Sequence, residues 1–183
     1  MHEVSLGQTI RDYLTGEAID ATTYEDLRQA LARMLVEEKG YPADRLEPRV
    51  AVHFPTADGE YCRTIDLAVR DQGGKPLLIL VFCPGQVNTF SRECLAAARL
   101  FPAGPVPFVV VTDLKEAQLL CVADGTILAH GIHALPSYGS LEALAAAHPV
   151  APLTDDRYDR ECRILHTYSE FLKRCCGESV CIR

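Results

Sequence analysis

The side chains whose type and spacing point most directly to chemistry lie near the C-terminus. Four of the eight cysteines, Cys162, Cys175, Cys176 and Cys181, fall in the last 22 residues of the 183-residue chain. Thiolates are ligands for Zn²⁺ and for iron–sulfur clusters. Tyr158, Cys162, Leu165, Tyr168, Leu172 and Cys175 recur at steps of three and four, so they share one face of a helix. A continuous helix sets Cys162 and Cys175 about 20 Å apart at 1.5 Å per residue, whereas thiolates on one Zn²⁺ lie about 4 Å apart. Cys162 is therefore assigned to the core. Cys175, Cys176 and Cys181 remain as candidate metal ligands, and they need a fourth ligand from elsewhere. A Cys176–Cys181 redox pair, or plain thiols at a helix end, are the other readings of the same residues.

Fewer signals come from the rest of the chain. Cys62, Cys83, Cys94 and Cys121 stand in apolar segments and are expected as buried thiols. His130-x-x-His133 follows a hairpin and reads as an exposed loop. No Gly-rich phosphate loop, Gly-x-Ser-x-Gly elbow or dinucleotide fingerprint is present. The formal charge of −7 opposes strong unaided binding to DNA, because such binding rests on neutralising phosphates. The N-terminal stretch has no basic start followed by an apolar block, and no run reaches the roughly 20 apolar residues of a membrane span. The expectation is a soluble, cytoplasmic protein with no membrane partner.

The elements that must position these groups follow from periodicity. Thr22-x-x-Glu25 has the pattern of a capping box, and Leu27, Ala30, Leu31, Met34 and Leu35 then recur at helical spacing. Gly40 and Pro42 end that helix. Three strand-like runs follow, at about 49–54, 60–70 and 76–83, with turns at Asp58-Gly59 and Gly73-Gly74. The third is apolar on both faces and is expected to be central. "NTFSRECLAAARLF" predicts a helix capped by Asn88 or Thr89, "PVPFVVVTD" a buried strand, and "AQLLCVADGTILAHG" a hairpin turning at Asp124-Gly125. Two further helical segments, "SLEALAAAH" and "TDDRYDRECRILHTYSEFLKRCC", are separated by Pro149 and Pro152. The predicted class is α/β with a mixed central sheet flanked by helices, organised as a domain over 1–135 and a C-terminal helical extension with a Cys-rich tail over 136–183.

The ordered series "DYLTGE", "LRQALARMLVEEKGYP", "RTIDLAV" and "GKPLLILVFC" resembles the N-terminal domain of type I restriction enzyme R subunits and its stand-alone relatives, over about residues 10–130. That domain belongs to the PD-(D/E)XK nuclease superfamily, so the resemblance implies a restriction-endonuclease-like α-β-β-β-α-β core. It also implies Mg²⁺ held by an Asp at the end of the second meander strand and a Glu on the third, with a Lys two residues later. Position by position, Asp66 matches the metal Asp and Glu25 the acid of the first helix. Phe82 stands at the Glu position and Pro84 at the Lys position. A Gln-x-x-x-Tyr pattern finds no match in "ECLAAARLF". Phe has no oxygen for a hard cation and Pro no charge for a phosphate.

Three functions stay open on this basis. The first is a catalytically inactive, nuclease-derived scaffold or nucleic-acid-associated binding module, with Asp66 and Glu25 as remnants and no cofactor. The second is a divergent Mg²⁺-dependent endonuclease acting on DNA with a relocated lysine, for which Lys75 and Lys115 are the nearest candidates. The third is a Zn²⁺ or Fe–S protein through Cys175, Cys176 and Cys181. The partners to test are DNA, another protein subunit and a second copy of the chain.

Overall fold

A computed structural model describes residues 4–57, 59–83, 85–113 and 115–176, the side chains of residues 134 and 169–176 excepted. A two-stranded antiparallel sheet comes first, β1 (Ser5–Arg11) with β2 (Ala18–Thr22). Helix α1 (Glu25–Glu37) leads to the meander β3 (Leu46–Thr56), β4 (Gly59–Arg70) and β5 (Pro76–Phe82). Helix α2 (Val87–Arg99) crosses over to β6 (Phe108–Thr112), and β7 (Ala117–Cys121) and β8 (Ile127–His130) follow. Helices α3 (Tyr138–Ala147) and α4 (Asp155–Cys176) close the chain. The helix, three strands, helix, strand order expected from the sequence is thus present in an α/β fold, while the β1–β2 hairpin was not anticipated.

The six-stranded sheet has the order β3-β4-β5-β6-β7-β8, antiparallel throughout except for the parallel pair β5–β6. A parallel pair needs a crossover, which α2 supplies. Every residue of "PLLILVF" and "FVVVT" is buried, because helices cover both faces of these strands. One apolar cluster gathers Ile79, Val81 and Val109 with Cys94 and Ala97 of α2 and Leu165 of α4. The other gathers Leu78, Leu80 and Phe108 with Leu31 and Leu35 of α1 and Leu141 of α3. The two C-terminal helices therefore pack on opposite faces of one sheet. Glu161, fully buried on α4, fastens that helix to α2: its oxygens accept from Arg92 and Arg99 at 3.1 Å each and from Arg157 at 2.6 Å.

One irregularity positions the candidate site. Strand side chains alternate sides with period two, and β5 obeys from Leu78 onward: Leu78, Leu80 and Phe82 face one cluster, Ile79, Val81 and the following Cys83 the other. The neighbouring pair does not. Tyr61 and Ile65 of β4 face the α2 side, yet Leu67 and Val69 face the α1 side. On β3, Leu46 lies on the α1 side and Val52 and Phe54 on the α2 side. Both strands change phase where Pro48 pairs with Leu67 and Val50 with Ile65. Between those pairs Arg49 holds a left-handed φ of 56°, which a non-glycine residue adopts only when its surroundings impose it.

Two expectations need correction. Helix α2 starts at Val87 with Gln86 at the cap, not at Asn88 or Thr89; the Asn88 side chain is engaged instead by the Gln118 amide, which donates to its Oδ1. Cys62 is half-buried, because Tyr61 and Ile65 take the inward positions of β4, and it is disulfide-bonded rather than a thiol, whereas Cys83, Cys94 and Cys121 are buried thiols. The Glu25 amide donates to Thr22 Oγ1 at 3.0 Å, as the capping-box pattern expects, and the Glu25 carboxylate accepts from Arg28 and Gln29 of α1 and from Arg49 of β3.

Candidate functional site

At the level of the phase change, four segments bring polar groups together on the α1 side of the sheet. The turn after β1 contributes Asp12, the first turns of α1 contribute Glu25, Arg28 and Gln29, the kink of β3 contributes Arg49, and β4 contributes Asp66. Asp12 is held by its own turn: Oδ1 accepts the amides of Leu14 and Thr15, both at 2.9 Å. Its Oδ2 accepts from Gln29 Nε2 at 3.2 Å and from Arg49 Nη1 at 3.1 Å. Burial pushes the Asp12 carboxyl up, but these amides together with Gln29 and the Arg49 charge outweigh it and bring it below the usual value.

Arg28 forms the centre of the cluster. Its Nε and Nη2 both donate to Asp66 Oδ1, at 3.0 and 2.9 Å, and its Nη1 pairs with Glu25 Oε2. Glu25 Oε1 accepts from Gln29 Nε2 at 2.8 Å and from Arg49 Nη1 at 3.4 Å. The second oxygen of Asp66 accepts the Phe82 amide at 2.8 Å. That last bond forms where β4 and β5 part, since their ladder ends at the pair Leu67–Leu80. Side-chain exposure is only 7% for Arg28, 5% for Glu25 and 13% for Asp66. Three carboxylates thus share two guanidinium groups in a shielded setting, where charge-assisted bonds are strong.

The residues singled out from the sequence divide clearly. Asp66 and Glu25 come together through a shared arginine. The ring of Phe82 lies in the α1-side apolar cluster and is 7% exposed. Lys75 is exposed at the start of β5, about 20 Å from Phe82 at 3.3 Å per residue. Lys115 is exposed in the turn after β6, whose end pairs with that of β5 through Phe82 and Thr112. His130 and His133 are exposed, as the loop reading expected. Among the described residues no group of three or more His, Cys, Asp or Glu stands close enough to hold a metal ion. Pro84 and Cys181 lie outside the described residues, as do the side chains of Cys175 and Cys176, whose backbones end α4.

Asp12, Arg28, Gln29 and Arg49 were not singled out from the sequence. A signal existed for Arg28, because Glu25 and Arg28 stand three apart on one helix face. For Asp12 the signal was its place before a turn, where Asp binds nearby amides. No local signal marks Arg49.

On the α2 side of the same strand, Arg63 Nη2 lies 3.2 Å from Oε1 of Glu93, a carboxylate 1% exposed. Neither Glu93 oxygen accepts a hydrogen bond among the described residues.

A family model described as the type I restriction enzyme R protein N terminus matches residues 23–136. No curated protein and no solved structure matches the chain. Among the described residues no helix is long and apolar enough to cross a membrane.

Proposed function

Because the chain belongs to the family of type I restriction enzyme R protein N-terminal domains, we propose that it is a degenerate PD-(D/E)XK nuclease fold that works by binding within a larger assembly and does not cut DNA. The observation that carries this reading is the state of Asp66. Both of its oxygens are occupied, one by the Arg28 guanidinium and the other by the Phe82 amide. The side chain at the neighbouring position, Phe82, contributes an aromatic ring to the core where the nuclease needs an oxygen.

A Mg²⁺ ion does not fit this set. The ion takes near-octahedral oxygen ligands at 2.0–2.1 Å, and here the space between Asp66 and Glu25 is bridged by a cation that belongs to the protein. The chain's overall charge of −7 favours a protein subunit over bare DNA as the direct partner.

The test is cleavage. Purified protein with Mg²⁺ or Mn²⁺ is incubated with supercoiled, linear and single-stranded DNA, and products are read on gels. No cleavage above the buffer control is expected. Metal-dependent cleavage that disappears in Asp66→Ala overturns the reading.

A further inference from the structure

Resting on the reading of a non-catalytic site, the geometry points to a more specific role for one residue: we propose that Arg28 is a built-in counter-cation that holds the carboxylate cluster in place of a metal ion, and that neutralising it opens the cluster to one divalent cation.

The argument is one of charge and shape. Asp12, Glu25 and Asp66 bring three negative charges to adjoining positions, and their oxygens are bound by Arg28, Arg49, Gln29 and backbone amides. Buried carboxylates need compensation, from a cation, from hydrogen bonds or by taking up protons. Arg28 is the only one of these donors that touches both Glu25 and Asp66. Its guanidinium is planar, keeps its charge at any ordinary pH, and presents a fork of donors that suits carboxylate oxygens. It satisfies Oδ1 of Asp66 with two N–H groups while a third reaches Glu25. Arg49 spans the other pair, Asp12 and Glu25, from the kink of β3.

Removal of the Arg28 charge leaves three carboxylates facing one guanidinium. A side chain such as Met has similar bulk and no donors, so Asp66 Oδ1 and Glu25 Oε2 lose their partner. A divalent cation supplies the missing charge, and carboxylate oxygens are the ligands that Mn²⁺ and Mg²⁺ prefer. Binding to the folded state alone raises stability by mass action.

The experiment uses the full chain without DNA, in three forms: wild type, Arg28→Met, and Arg28→Met combined with Asp66→Asn. Thermal melting is followed with and without millimolar Mn²⁺, and free Mn²⁺ is counted by electron paramagnetic resonance. The wild type is expected to keep its melting temperature within about 1 °C and to bind no Mn²⁺ that depends on Asp66. The Arg28→Met protein is expected to melt lower, to regain about 5 °C with Mn²⁺, and to bind one ion per chain. The double variant is expected to regain nothing. Arg28→Lys, which keeps the charge but loses the fork, is the companion should Arg28→Met fail to fold. It is expected to fold and to stay indifferent to Mn²⁺, and an Asp66-dependent response in it counts against the idea. Asp66-dependent Mn²⁺ binding by the wild type overturns the inference, as does a folded Arg28→Met protein that ignores the ion. Both outcomes are read without DNA, so they are separate from the cleavage assay that decides whether the chain is a nuclease.

Discussion

Glu93 and Asp12 are both buried carboxylates, and their surroundings move them in opposite directions. Glu93 has Arg63 beside it but, among the described residues, no hydrogen bond to either oxygen. Burial pushes its carboxyl up, Arg63 pulls it back only in part, and the net shift is upward from 4.5. A raised carboxyl contributes stability that is complete below the ordinary value and is lost as pH rises through the folded value. Asp12, lowered from 3.8, contributes stability above that value that is lost as pH falls through its own. Urea midpoints measured across a pH series are therefore expected to decline from about pH 4.5 upward through the Glu93 titration, and Glu93→Gln is expected to flatten that decline. Asp12→Asn is expected to remove part of the loss on the acid side instead. Parallel curves for the wild type and Glu93→Gln would show that the carboxyl titrates as an ordinary one. Of these residues only Glu25 and Asp66 were legible beforehand. A lone acid in a sequence has no visible counter-ion when the partner comes from 38 residues away, as Arg28 does for Asp66.

The elements were far more legible than the contacts between them. The helix periodicity of α1, α2 and α4 and the apolar runs of β5 and β6 depend on neighbours within a few residues, and they emerged within a few positions of their observed bounds. The phase change in β3 and β4 did not, because it depends on Arg49 adopting a left-handed φ that arginine itself disfavours. Hydrogen bonds to Asp12 and Glu25 offset that backbone cost. Two substitutions separate the contributions. Arg49→Ala loses the side-chain bonds and keeps the strain, while Arg49→Gly loses the same bonds and relieves it. Arg49→Gly is expected to be the more stable variant by about 1 kcal/mol, measured by denaturant unfolding. Equal stabilities would mean that the kink relaxes once the arginine is gone. The β1–β2 hairpin escaped notice for a related reason. Nearly all of β1 is exposed, so it carries no buried alternation from which a strand could be read.

At the scale of the whole molecule, the family match over residues 23–136 leaves the β1–β2 hairpin and the whole of α3 and α4 outside it. Helix α4 is nonetheless part of the packing: Leu165 is fully buried in the α2-side cluster and Glu161 holds three arginines. Leu165→Ala is expected to cost about 3 kcal/mol of stability for the whole chain, and Glu161→Gln a similar amount, since it leaves the Arg99 charge buried without its counter-charge. Calorimetry would check both; a loss confined to a separate low-temperature transition would instead mark α4 as an independent unit. The strand order of the main sheet has a consequence for how such a molecule is made. Each strand of the six lies beside the one that precedes it in the chain, so no strand has to be inserted between two that are already joined. As the polypeptide leaves the ribosome from its N-terminal end, every new strand can add to the free edge left by the last. The sheet can grow in one direction at the pace of synthesis, and α4, emerging after all six strands, seals a face that has waited for it.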